Sequence, residues 1–184
     1  MSEVKPWKTL SSEVVFDQGE IKIRKDVCLL PDGTIKQEKF VREDRDVAIV
    51  FCLTRNQEVV FVRQYRHGIQ QITIELPAGR QSRHDISLED TARRELLEET
   101  GYSGEACQQL ALWFSNAPAS TGRIGIFCVP VADKVAAPKH NPGEVTEVMF
   151  VPLAGVKQMV DRGELTTIIG VAAVNYVIEH LPTA

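Results

Sequence analysis

The alternation of apolar and polar residues divides this chain into strands and helices before any motif is considered. Residues 10–30 alternate through Val14, Phe16, Ile21 and Ile23 with Gly19 between them, which predicts two short strands joined by a turn. Pro31-Asp32-Gly33 is a turn signal, so residues 27–30 and 34–40 are expected to pair as a hairpin. Residues 47–53, VAIVFCL, form an unbroken apolar run of the kind a buried central strand needs. Arg55-Asn56-Gln57 turns that run into a further strand at 58–64, and residues 72–76 alternate before Pro77. Gly79 reads as a turn after this strand. A helix is expected over 88–100, with Ser87-x-x-Asp90 as its capping box and Gly101 as its C-terminal cap. Strands follow at 110–115, 124–131 and 145–152, with an irregular loop at 134–143, and helices at 154–162 and 167–180 close the chain. Strands and helices mix without strict βαβ alternation, so the expected class is α+β, or mixed α/β.

Length and composition narrow the function. The 184 residues suit one sizeable domain rather than two, and 43% hydrophobic with 25% charged residues is ordinary for a globular protein. Residues 1–45 are expected to form an N-terminal sheet region apart from a core at 46–184. A net charge of −4 leaves no basic footprint for nucleic acid. No apolar run approaches the ~20 residues of a membrane span. The first residues, MSEVKPWKTL, lack a secretory signal, so a cytoplasmic protein is expected. Cys28, Cys52, Cys107 and Cys128 show no CxxC and no zinc spacing, and the three that sit in apolar or strand-like runs are read as reduced core thiols.

The chemistry concentrates in Glu95, Glu98 and Glu99. On a helix of ~100° per residue with Leu88 at zero, Ala92 and Leu96 fall near 40° and 80°, and Glu99 and Glu95 near 20° and −20°. Glu98 lies further round, near −80° on the same scale. Two carboxylates therefore sit on or beside the apolar stripe rather than opposite it. Burying carboxylates is costly unless they are paired or bind a cation. Spacing alone leaves two readings open, a divalent-metal site and a helix of ordinary ion pairs.

Residues 94–102, RELLEETGY, with Gly79 upstream, resemble the Nudix box, G-x5-E-x7-R-E-U-x-E-E-x-G-U, where U is aliphatic or aromatic. The second half matches at every specified position. The first half departs: Gly79 to Arg94 is one residue longer than the pattern, no Glu stands at the acid position, and Asp85 is the nearest acid. Further likeness comes from Pro6-Trp7, Ser11-Ser12, LPDG at 30–33, VRQYRHG at 62–68, ELPAG at 75–79 and EVTEVMFVPL at 144–153. These segments are similar to the ADP-ribose pyrophosphatase branch of the Nudix hydrolases. The resemblance implies an α/β/α sandwich with an additional N-terminal β-sheet, a homodimer that exchanges N-terminal strands, and Mg²⁺ as cofactor with Mn²⁺ as an alternative. It also implies cleavage of the diphosphate linkage of a nucleoside diphosphate sugar, with ADP-ribose the first expectation. The rivals are another nucleotide sugar such as GDP-mannose, and a catalytically silent nucleotide sensor.

The same resemblance assigns roles. Glu95 and Glu99 become metal ligands with Glu98 beside them and the Ala78 carbonyl as a further ligand, while Arg94 orients the glutamates. Glu144, the only acid in HNPGE, becomes the general base or an extra ligand. Arg66 of QYRHG becomes a phosphate contact, with a surface salt bridge as its alternative. Arg42 or Arg45 is assigned to the terminal sugar or phosphate, and the sequence does not choose between them. Phe16 either stacks on the base or packs in a core. His67 and His84 are read as non-ligands, because carboxylate and water suit Mg²⁺ better.

Overall fold

The computed structural model describes residues 3–139 and 145–181, and the chain divides into two compact units. The first comprises residues 1–45 with 114–123, and the second comprises 46–113 with 124–184.

In the first unit β1 (Lys8–Gln18), β2 (Ile21–Leu29) and β3 (Ile35–Arg42) form an antiparallel sheet in the order β1-β2-β3. Gly19, at φ 61°, makes the turn between the first two strands, in a left-handed conformation that costs glycine little. Strand β1 is exposed along its whole length, Phe16 included. Within this unit Phe16 is therefore not a core residue. Segment 114–123 is tied to the end of β3. Arg42 N donates to Ala119 O, Thr121 N donates to Arg42 O, and Ser120 Oγ donates to Asp44 Oδ2 at 2.7 Å.

The second unit is built on an eight-stranded sheet. Its spine is β11 (Thr146–Pro152), β5 (Glu58–Arg66), β4 (Val47–Thr54), β10 (Arg123–Lys134) and β8 (Tyr102–Ser103). To these are added β6 (Gln71–Glu75) on β5, β7 (Ala78–Arg80) on β4 and β9 (Gln108–Phe114) on β10. Strand β4 is buried on both faces, as its unbroken apolar run requires. Its Val50, Cys52 and Ala48 pack with Ala92 and Leu96 of helix α1 (Leu88–Thr100). On the other face, Ile49, Phe51 and Leu53 pack with Val156 and Met159 of α2 (Leu153–Asp161) and with Ala173, Val174 and Val177 of α3 (Ile168–His180). One helix below the sheet and two above make the α/β/α sandwich, and the N-terminal sheet is the addition to it.

Helix α1 occupies the span that its end signals predict. Ser87 Oγ accepts from Asp90 N at 3.1 Å, Asp90 Oδ2 accepts from Ser87 N at 2.9 Å, and Gly101 at φ 75° stops the helix. Gly79 departs from expectation. It lies not in a turn but in β7, where Val47, Ala48 and Ile49 pair with Arg80, Gly79 and Ala78. Three residues are too few to show a period-2 pattern, so only the pairing partner reveals the strand. Residues 135–139 are irregular as expected, and the rest of that loop lies outside the described residues.

Candidate functional site

The phase of α1 sets what its glutamates can do. Thr91, Ala92, Leu96 and Thr100 are its buried residues, which fixes the inward face. The Glu95 side chain, beside that face, is 14% exposed, whereas Glu98, further round, is 40% exposed. Arg94 gathers the neighbouring acids. Its Nη1 donates to Glu95 Oε1 at 2.7 Å and to Glu98 Oε2 at 3.0 Å. Nε and Nη2 grip Asp85 at 3.1 and 2.9 Å, and Nη2 also donates to the Arg80 carbonyl at 3.1 Å. A guanidinium has five N–H bonds, and these five contacts use them all. Arg94 is thus an organiser of carboxylates with no donor left for a substrate.

Asp85 answers the irregular first half of the motif. Counted from Gly79 it stands at the acid position, and the additional residue falls between it and Arg94. Its carboxylate accepts from Arg94, Ser82 N at 2.8 Å and Thr91 Oγ1 at 2.9 Å. The Arg94 guanidinium above all, with these other donors, holds its carboxyl well below the usual range despite burial. Asp85 anchors Arg94 to the polar loop. A shorter acid with one more residue behind it reaches the same partner.

Glu99 is placed differently. Its Oε2 accepts from the Ala78 amide at 3.1 Å, so in this structure it is the Ala78 N–H, rather than the carbonyl, that meets a glutamate. Burial pushes the Glu99 carboxyl up to about 8. The Ala78 bond and the charge of Arg66 oppose that rise, and the carboxylates of Glu95 and Glu75 add to it. Glu75 itself is bound by Arg66 through two bonds at 2.9 and 2.7 Å.

These residues fit a hard divalent cation. Among the described residues no three His, Cys, Asp or Glu side chains already converge on one point. Glu95 and Glu98 are turned onto Arg94, and Glu99 onto the Ala78 amide. The donor set is nonetheless all carboxylate oxygen, and at Glu99 burial and then the carboxylates of Glu95 and Glu75 disfavour the bare anion, which a cation would relieve. Gly79 supplies a second observation: a Cβ there would stand 2.0 Å from Glu95 Cδ, so the missing side chain is the space the carboxylate occupies.

The remaining expected residues are distributed elsewhere. Arg66 lies at the end of β5, in a salt bridge with Glu75. Arg42 and Arg45 belong to the first unit, where Arg42 Nε donates to Asp44 Oδ1 at 2.6 Å and Arg45 stands 3.9 Å from Glu20. Phe16 is 41% exposed on β1 of that unit. Glu144 lies outside the described residues. Sequence reasoning gave Glu75 no role, although the β5–β6 hairpin register that joins it to Arg66 was within reach of the strand pattern.

Comparison with known proteins agrees with this architecture. The model of the family described as NUDIX domain matches residues 43–167. A curated relative, the methanol dehydrogenase activator of Bacillus methanolicus, is 31% identical over 146 residues, 79% of this chain and 76% of its own length. The ADP-ribose pyrophosphatase of Bacillus subtilis (strain 168) is 25% identical over 175 residues, 95% of this chain and 91% of its own. A solved structure described as an ADP compounds hydrolase shares the fold at a TM-score of 0.82 and 16% identity, covering 98% of this chain and 97% of that one.

Proposed function

The chain belongs to the Nudix family of hydrolases, and from that premise we propose that it cleaves the diphosphate linkage of a nucleoside diphosphate sugar, ADP-ribose first, to AMP and ribose 5-phosphate. The observation that carries this reading is the partly buried Glu99, held by the Ala78 amide beside Glu95 and Glu75, with Arg66 on the same side of the sheet. That is a place for a cation next to a place for a phosphate.

Glu95, Glu98 and Glu99, with the Ala78 carbonyl, are the residues that would hold Mg²⁺, with Mn²⁺ as a substitute. When bound, the ion would supply positive charge to the phosphate oxygens and lower the pKa of water. The protein's own residues supply the rest. Arg66 offers a planar fork to a phosphate oxygen. Arg94 holds Glu95 and Glu98 in place from Asp85. Glu144 takes the proton of the attacking water. Arg42 or Arg45 binds the terminal sugar or phosphate, and Phe16 stacks on the base.

Two further elements belong to the proposal. Residues 1–45 serve dimerisation and substrate binding, and residues 46–184 serve catalysis. Strand β1 supports a homodimer, because Leu10, Val14, Val15 and Phe16 are 41–50% exposed on it, and an exposed edge strand bearing apolar side chains is a pairing surface. The cytoplasm suits four free thiols, and no helix among the described residues is long and apolar enough to cross a membrane.

The test is a phosphate-release screen of nucleotide sugars with a coupled phosphatase and Mg²⁺ or Mn²⁺. ADP-ribose is expected to turn over fastest. A folded protein that cleaves no diphosphate compound would sink the proposal.

A further inference from the structure

The β5–β6 hairpin carries an ion pair that the roles above leave unexplained. Val62, Gln64 and Arg66 of β5 stand opposite Glu75, Thr73 and Gln71 of β6, so Arg66, Thr73 and Glu75 point to one face of the sheet. Val60, two residues before Val62 on β5, packs with Ala92 and Leu96, so this is the face that α1 covers. Thr73 is 2% exposed and the Glu75 side chain 12% exposed, while Arg66 is 45% exposed. The pair therefore has a buried anionic end and an accessible cationic end.

Its geometry is that of a mount. Arg66 Nε donates to Glu75 Oε1 at 2.9 Å, and Arg66 Nη2 to Oε2 at 2.7 Å. Thr73 Oγ1 donates to Oε1 at 2.5 Å and fixes the carboxylate in turn. Two parallel bonds to a planar guanidinium fix its plane, and with it the directions of its other N–H groups. An arginine held through one bond, or none, would lose rotamer freedom only on meeting its ligand, and would bind more weakly for it. Both oxygens of Glu75 are taken by this work.

We propose that Glu75 is a positioning residue that aims the Arg66 guanidinium at a phosphate oxygen of the nucleoside diphosphate, with Thr73 as its brace. The inference rests on the phosphate-binding role of Arg66 given above and deepens it. It assigns Glu75 no contact with the substrate and none with a metal ion. Its effect must therefore vanish when Arg66 is absent, which a purely structural role would not do.

The experiment is titration calorimetry of ADP-ribose against the full chain with divalent ions chelated, so that binding is read without turnover. Glu75→Gln and Arg66→Ala are each expected to weaken binding by about tenfold or more, the scale of a lost charged hydrogen bond. The double variant is expected to bind no worse than Arg66→Ala. In steady-state kinetics with Mg²⁺, Glu75→Gln raises KM far more than it lowers kcat, the mark of lost substrate positioning. Glu75→Gln that binds as tightly as the unaltered protein overturns the proposal, and so does a double variant whose losses add. If Glu75→Gln fails to fold, Thr73→Val carries the test. Weakened binding that disappears in the Arg66→Ala background supports the proposal, and unchanged binding overturns it. A protein that binds ADP-ribose but cleaves nothing sinks the hydrolase reading and leaves this one standing. GDP-mannose replaces ADP-ribose as probe if ADP-ribose does not bind, and if neither binds, both readings fall.

Discussion

Gly79→Ala offers the sharpest test of the proposed carboxylate site, because it moves Glu95 without altering it chemically. The added methyl would stand 2.0 Å from both Cδ and Oε1 of Glu95, whereas ordinary contact begins at 3.4 Å, so the carboxylate must retreat by about 1.4 Å. Displacement of about 1 Å at a reacting group is worth roughly a hundredfold in rate. The expected loss in kcat is therefore about a hundredfold, or ~2.7 kcal/mol of transition-state stabilisation. Stability should change little. Disturbing the Arg94–Glu95 bond costs part of ~1.5–3 kcal/mol, while the stiffer unfolded chain returns ~0.4–1 kcal/mol. A net loss near 1 kcal/mol corresponds to ~2–4 °C in melting temperature for a chain of this size. Gly68→Ala is the control, since nothing lies within 4 Å of a Cβ there. The assay is turnover of ADP-ribose beside a thermal melt. Gly79→Ala with kcat within about threefold of the unaltered enzyme would refute the placement of Glu95 at the reacting centre.

Three further outcomes are expected. Glu99→Gln should abolish turnover while circular dichroism and the melting curve stay native, and a near-normal rate would remove Glu99 as a ligand. Asp85→Asn should cost about 1–3 kcal/mol at pH 7 by leaving Arg94 short of its main partner. Because the folded carboxyl sits below its unfolded value, its contribution is present above pH ~4 and is lost as the pH falls further, so the two melting curves should converge in acid and not in base. Glu144→Gln should lower kcat by ~10²-fold or more with KM little changed, and full activity would remove it as the base.

Much of the frame was legible because its signals are local. Ser87, Asp90 and Gly101 mark the ends of α1 by side-chain capping and a left-handed backbone, and the structure places the helix there. The helical phase that set Glu95 and Glu99 near Ala92 and Leu96 reappears as a partly buried Glu95 and a desolvated Glu99. What the sequence hid depends on partners distant along the chain. Strand β7 exists only because β4 lies beside it. Asp85 looked like a defect of the motif until Arg94, nine residues on, was seen to close on it. Phe16 had an apolar residue's ambiguity, and only the exposure of β1 removed its core reading within that unit.

The junction at Gly101 bears on how this sequence can drift. The Gly101 carbonyl accepts from the amides of both Val135 and Ala136, and Lys139 N donates to the Glu98 carbonyl at 2.7 Å. The segment leading toward Glu144 is therefore stitched to the last turn of the helix that bears Glu95, Glu98 and Glu99. A Cβ at position 101 would stand 2.1 Å from the main-chain oxygen of Ala136. A clash with a side chain can be relieved by a second mutation that shortens it. A clash with a carbonyl cannot, because every residue carries one. Position 101 has no compensating partner anywhere in the genetic code, and any lineage that loses this glycine must re-route the strap at 135–139.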